Sequence, residues 1–229
     1  MTHIPFITAL LASMLHVLSG PDHLAAVTPI AISSDKKPWI IGFLWGFGHV
    51  LGMLLIGVLF YFFKDLIPIE KISEYSEQLV ALVLIGVGLV SFYRIFKENK
   101  KQNYPHFHEK EIHIHSHNDQ NLHSHTKIVK QNNKSSFGIG FLHGLAGVAH
   151  FFLLSPILSF TSKTDSYTYL IGFGLGTIIA MTAYAALIGK ISSVSKKTNN
   201  NLLTKGIRFS GGLFAFVIGI YWFYLTQLG

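Results

Sequence analysis

Cysteine does not occur among the 229 residues. Its absence removes disulfides, thiolate metal sites and Cys-X-X-Cys redox chemistry from this chain at once. Charge is scarce too: 13% of residues are Asp, Glu, Lys or Arg, where a soluble domain carries about 25%, so a water-facing surface could not be covered. No G-x-x-x-x-G-K-[ST] occurs, which leaves no phosphate loop for ATP hydrolysis; Lys190 behind Gly189 reads as a helix-end anchor. No basic–aromatic pattern points to nucleic acid. Residues 1–6 lack Lys and Arg, and the apolar run behind them outlasts a signal-peptide core, so a retained first helix is expected. What is abundant is apolar character: half the residues are hydrophobic and mean hydropathy is +0.43. The expectation is one integral membrane domain with polar connections and no enzymatic activity.

A helix needs about 20 apolar residues to cross a bilayer. Six such stretches stand at 4–32, 38–63, 77–96, 137–161, 167–191 and 207–227. The first is overlong and holds Pro21 and Pro29, which predicts a break whose freed backbone groups must be covered by protein or water. Fifteen of the 18 Lys and Arg flank the connections after spans one, three and five. The positive-inside rule therefore places those connections in the cytoplasm and both termini outside, in a bacterial inner or plasma membrane.

The chain repeats itself. His16-Val17-Leu18-Ser19-Gly20-Pro21-Asp22-His23 and His143-Gly144-Leu145-Ala146-Gly147-Val148-Ala149-His150 share H-x-L-x-G-x-x-H, and Pro29 and Pro156 keep the same offset. Gly46-Phe47-Gly48 with Met53 matches Gly174-Leu175-Gly176 with Met181 at an offset one residue longer. A unit of three spans used twice must enter from opposite sides, which is the inverted-repeat build of many secondary transporters. The fold expected is an all-α integral membrane protein of six transmembrane helices, arranged as two inverted three-helix repeats with the first helix of each broken. Its divisions are a first repeat at 1–96, a His-rich connection at 97–135 without fixed structure, and a second repeat at 136–229.

Of 11 acidic residues, Asp22 alone falls well inside a predicted span. A charge there costs at least ~2.5–3.5 kcal/mol on insertion scales, so something must offset it. His16 and His23 are seven apart and share a face of a continuous helix; Gly20-Pro21 supplies the bend that would swing Asp22 to join them. His49 follows in Trp45-Gly46-Phe47-Gly48-His49, where Gly48 and Gly52 form a G-x-x-x-G face expected to press span two on span one. The second copy offers His143 and His150 around Gly147, but has Ala149 for Asp22 and Thr177 for His49. Neutral imidazole with carboxylate suits borderline divalent ions, and without thiolates Ni(II), Co(II) or Zn(II) is a more natural guest than Cu(I). The plainer alternative is that these histidines only bridge helices by hydrogen bonds.

Seven more histidines crowd the polar connection: His106, His108, His113, His115, His117, His123 and His125. Alternating histidine is a compositional metal-binding pattern, and so polar a stretch is not expected to fold without metal. It would capture metal on the cytoplasmic side.

The first-span residues from His16 to Leu24 resemble the H-x-x-x-G-x-D-H signature of HupE/UreJ-type nickel transporters and the related nickel/cobalt transport proteins. Trp45-Gly46-Phe47-Gly48-His49 is similar to that superfamily's second-helix G-H motif. Five residues separate His16 from Asp22-His23, against four in the classical nickel permeases, which favours the HupE-like branches. The resemblance implies a permease of six or more spans for Ni(II) or Co(II) with His16, Asp22, His23 and His49 as ligands. The expected function is a secondary transporter of divalent metal, with no permanent cofactor and with the bilayer and the ion as partners; oligomeric state is left open. The His-rich loop, similar to that of nickel/cobalt efflux proteins, tips the direction to efflux. The alternatives are an uptake permease supplying metalloenzymes and, in another class, a membrane electron-transfer protein holding haem b between paired histidines.

Overall fold

A computed structural model describes residues 3–34, 37–63, 69–100, 106–108, 111–113, 122–146, 156–198 and 200–228. The helices are α1 (His3–Ser19), α2 (Pro21–Ile32), α3 (Pro38–Phe63), α4 (Ile69–Lys100), α5 (Leu122–Ala146), α6 (Pro156–Ser159), α7 (Lys163–Lys197) and α8 (Asn201–Leu228). Strands β1 (His106–His108) and β2 (Glu111–His113) pair antiparallel, with His106 opposite His113 and His108 opposite Glu111.

The first expected span breaks where Gly20-Pro21 predicts. Gly20 is extended, Pro21 takes the first helical position, where its missing N–H is not needed, and the axes of α1 and α2 diverge by 71°. The backbone stays accounted for: the Gly20 N–H donates to His16 O at 3.0 Å and the Leu24 N–H to Gly20 O at 3.3 Å. Beyond the break, α2 buries His23 and every residue from Ala25 to Ile32. It is a short half-helix in the middle of the bundle, touching α3, α4, α5, α7 and α8.

The long helices pair across the halves of the chain: α1 with α7, α3 with α5, α4 with α8. Small residues allow it, because lipid is as apolar as the helices and close packing supplies the attraction. On the α3–α5 seam, a Cβ at Gly48 or Gly52 would strike the backbone of Phe137 or Phe141, and one at Gly140 or Gly144 would strike Trp45 or His49. The G-x-x-x-G face of α3 therefore lies on α5, not on the first span as expected. Hydroxyls add cross-links in the buried interior: Ser136 donates to Ile41 O at 2.6 Å, Ser192 to Ile32 O at 2.9 Å, and Thr28 and Tyr184 share a bond of 2.6 Å.

Outside, leucines and aromatics such as Leu15, Phe62 and Leu82 stand exposed, as a lipid-facing surface requires. Among the described residues, four helical stretches are long and apolar enough to cross a membrane, Pro38–Leu59, Tyr75–Lys97, Lys163–Lys197 and Asn201–Gln227, and the bent α1–α2 pair makes a fifth if counted as one span. The protein is a helical integral membrane protein. The span expected at 137–161 includes residues 147–155, among them Gly147 and His150, which lie outside the described residues. Helix α5 begins well upstream of that span, inside the stretch read as connection, and α4 runs on to Lys100. A polar helix and a polar loop look alike in composition, which is why apolar content alone did not separate them.

Candidate metal centre

Asp22 opens the first turn of α2, just past the break. Its Oδ1 accepts from His23 Nδ1 at 3.1 Å and its Oδ2 from His143 Nε2 of α5 at 2.8 Å. An ionised carboxylate only accepts, so both imidazoles must present N–H groups. His23 and His143 are buried, and the Asp22 side chain is 16% exposed. Gly20 gives the room: a Cβ there would lie 3.0 Å from Asp22 Oδ1 and closer still to His23 Nδ1.

His23 is the hub. Its ring centroid is 5.0 Å from that of His16, 5.3 Å from His49 and 4.8 Å from His143. The buried Trp45 closes the wall, stacked on His49 at 4.9 Å with 11° between planes and standing 5.5 Å from His23 and 5.4 Å from His143. Four elements thus converge: α1 brings His16, α2 Asp22 and His23, α3 Trp45 and His49, α5 His143. One ligand atom each from Asp22, His23 and His143 all lie within 4.8 Å of one another. A divalent metal held at about 2.0–2.2 Å from each ligand draws them about 3–4 Å apart, so a small inward movement closes the set.

Of the residues singled out in the sequence, His16, Asp22, His23, His49 and His143 come together; Gly20 and Pro21 make the break, and Gly48 and Gly52 hold α3 on α5. His150 and Gly147 lie outside the described residues, as do His115 and His117. His106, His108 and His113 fall on the strand pair and His123 and His125 on α5, with their side chains outside the description. Trp45 is the member of the cluster that sequence reasoning missed. Its position four residues before His49 puts both on one helix face, which was signal enough.

The profile of the cytochrome c biogenesis protein transmembrane region family matches residues 5–221. Chloroplast protein FOR GROWTH AND FERTILITY 1 of Arabidopsis thaliana is 35% identical over 83% of this chain and 51% of its own length. Chloroplast protein FOR GROWTH AND FERTILITY 2 of the same plant is 32% identical over 93% of this chain and 54% of its own. Urease accessory protein UreH of Bacillus sp. (strain TB-90) is 32% identical over 74% of this chain and 69% of its own. The chain spans about half the length of the two plant relatives. No solved structure matches it. Neither the matched family nor these relatives is named for an enzymatic activity.

Proposed function

The chain belongs to the cytochrome c biogenesis protein transmembrane region family and is kin to urease accessory protein UreH, and from that premise we propose that it is a secondary transporter of a divalent transition metal ion. The observation that carries this reading is the buried triad of Asp22, His23 and His143, whose ligand atoms lie within 4.8 Å of one another inside a membrane bundle. His16 and His49 flank the triad and offer further imidazoles. Carboxylate and imidazole without thiolate suit Ni(II) and Co(II), with Zn(II) also accommodated. The H-x-x-x-G-x-D-H resemblance and a relative named as a urease accessory protein support nickel.

The mechanism follows from the halves. The cluster joins α1, α2 and α3 from one half to α5 from the other, so relative rocking of two inverted repeats would open it to either side in turn. Imidazole must shed a proton to bind metal, so protons compete with the ion and help release it. The His-rich stretch 97–135, read as cytoplasmic with both termini outside, would gather metal there through its seven histidines, which favours export; uptake is the reverse of the same cycle. Whatever chemistry the family name suggests, a chain without cysteine runs no thiol–disulfide exchange. A haem held by two imidazoles puts its porphyrin plane between them; His23 and His143 instead share one carboxylate, which supports the metal-ion reading over haem.

The test is flux in oriented vesicles. Asp22→Asn keeps the volume and loses the charge; Ni(II) and Co(II) movement is expected to fall to background while expression and size-exclusion behaviour stay those of the parent. The vesicle orientation that works gives direction. Undiminished flux in Asp22→Asn would falsify the assignment.

A further inference from the structure

A cavity of about 320 Å³ lies away from the metal cluster. Its floor is the far end of α2, Pro29 and Ile30, and its walls include Gly86 of α4 and Ile139 of α5. Val90 also lines it and is 50% exposed, so the cavity opens sideways onto the lipid-facing surface. One end is cationic and polar, with Arg94 of α4 and Ser135 of α5. The basic character continues beyond it: Lys97 stands one turn past Arg94, its Nζ 5.7 Å from the Tyr93 ring centroid, and the exposed Lys134 precedes Ser135. At Gly86 the space is open, since a Cβ there would meet nothing within 4 Å.

We propose that this groove binds one acidic phospholipid, its phosphate at the Arg94 end and an acyl chain along the wall at Gly86. An apolar trough with a cationic end is a poor route for a divalent cation. A free phosphate would leave the trough unfilled. A lipid with an anionic headgroup matches both parts, and basic pockets between membrane helices on the cytoplasmic side take such headgroups. The floor matters as much as the walls. It is the same half-helix whose other end carries Asp22 and His23, so an acyl chain laid against Pro29 and Ile30 braces the element that presents the metal ligands. That last consequence rests on the metal reading; the lipid site does not.

The experiment is native mass spectrometry of the full chain released from detergent after exchange into phosphatidylglycerol or phosphatidylcholine. One phosphatidylglycerol per chain is expected to stay bound, and phosphatidylcholine to be lost. Gly86→Leu fills the trough and should abolish retention, whereas Gly57→Leu, equally open to a Cβ but on α3, should not. Arg94→Gln should weaken retention about fivefold, one basic contact's share. Excess glycerol phosphate should not displace the lipid. Parental retention in Gly86→Leu overturns the proposal, as does equal retention of both lipids or displacement by the headgroup alone, which would mark a simple anion site. Arg94→Gln leaves the packing glycines untouched and decides the matter if Gly86→Leu fails to fold. Asp22→Asn should hold lipid like the parent, so loss of the metal reading and loss of this one are separable.

Discussion

Two imidazole N–H groups hold the Asp22 carboxylate, at 3.1 Å from His23 and 2.8 Å from His143. A charge so placed in a membrane bundle is stabilised because each carboxylate oxygen accepts a hydrogen bond, and leaving it without partners would be costly. The neighbour that makes the arrangement possible has no side chain at all. Gly20→Ala would push a methyl into Asp22 and His23, with overpacking worth about 1–3 kcal/mol. The expected outcome is a lower unfolding temperature in detergent together with weaker Co(II) binding, followed by the d–d absorption of the ion; parental values for both would mean that the break tolerates a Cβ. At this scale much was legible. An acid inside an apolar run is conspicuous, and Gly-Pro beside it explains how His16 and His23 could be joined by Asp22. His143 could be reached only through the internal repeat, since nothing local to it says which carboxylate it will meet. The four-residue spacing puts Trp45 and His49 on one face, but whether that face turns toward His23 depends on the rotation of α3 about its axis, and spacing alone does not supply that.

Helices bring these residues together through the α3–α5 seam. Gly140 and Gly144 of α5 sit against the backbone of Trp45 and His49, while Gly138, two residues from Gly140, would place a Cβ in open space. The two positions therefore make a matched pair. Gly144→Leu is expected to lower the unfolding temperature and expression markedly and to displace His49 from His143. Gly138→Leu should behave as the parent in thermal unfolding and flux. Equal behaviour of the two would show that the seam does not govern stability. The G-x-x-x-G stripe at Gly48 and Gly52 was readable as a place of close approach, but a stripe does not name its partner; the approach is to α5. The break between α1 and α2 was readable to the residue. The upstream reach of α5 was not, because the polar residues at 122–135 satisfy a helix as well as a loop.

The whole molecule is organised by pairings that cross the middle of the chain, α1 with α7, α3 with α5 and α4 with α8. The His-rich stretch connects the halves, and among the described residues the buried cluster draws on α1, α2, α3 and the later part of α5. Deleting residues 106–125 is therefore expected to leave Ni(II) or Co(II) flux from high metal concentration near the parental rate, and to lower the number of ions bound per chain in equilibrium dialysis. Loss of flux at every concentration would give the stretch a part in transport itself. The internal repeat made the halves visible in the sequence. That each helix would choose a partner from the other half was not visible, because hydropathy reports what faces lipid and not which helix excludes it.

Those crossings also set an order of events at the ribosome. When the first half has been inserted, α1, α3 and α4 have only the short α2 among their native neighbours, for the long helix that each pairs with is still to be translated. The glycine-lined face of α3 is then covered by lipid or by the insertion machinery, and Asp22 waits in a half-built interior without His143. Consolidation comes late, when α5, α7 and α8 arrive to displace those temporary neighbours. A transcript truncated in its second half would yield a chain that is inserted but bare along its seams, with an unshielded acid in the membrane, and cellular quality control reads such features as unfinished.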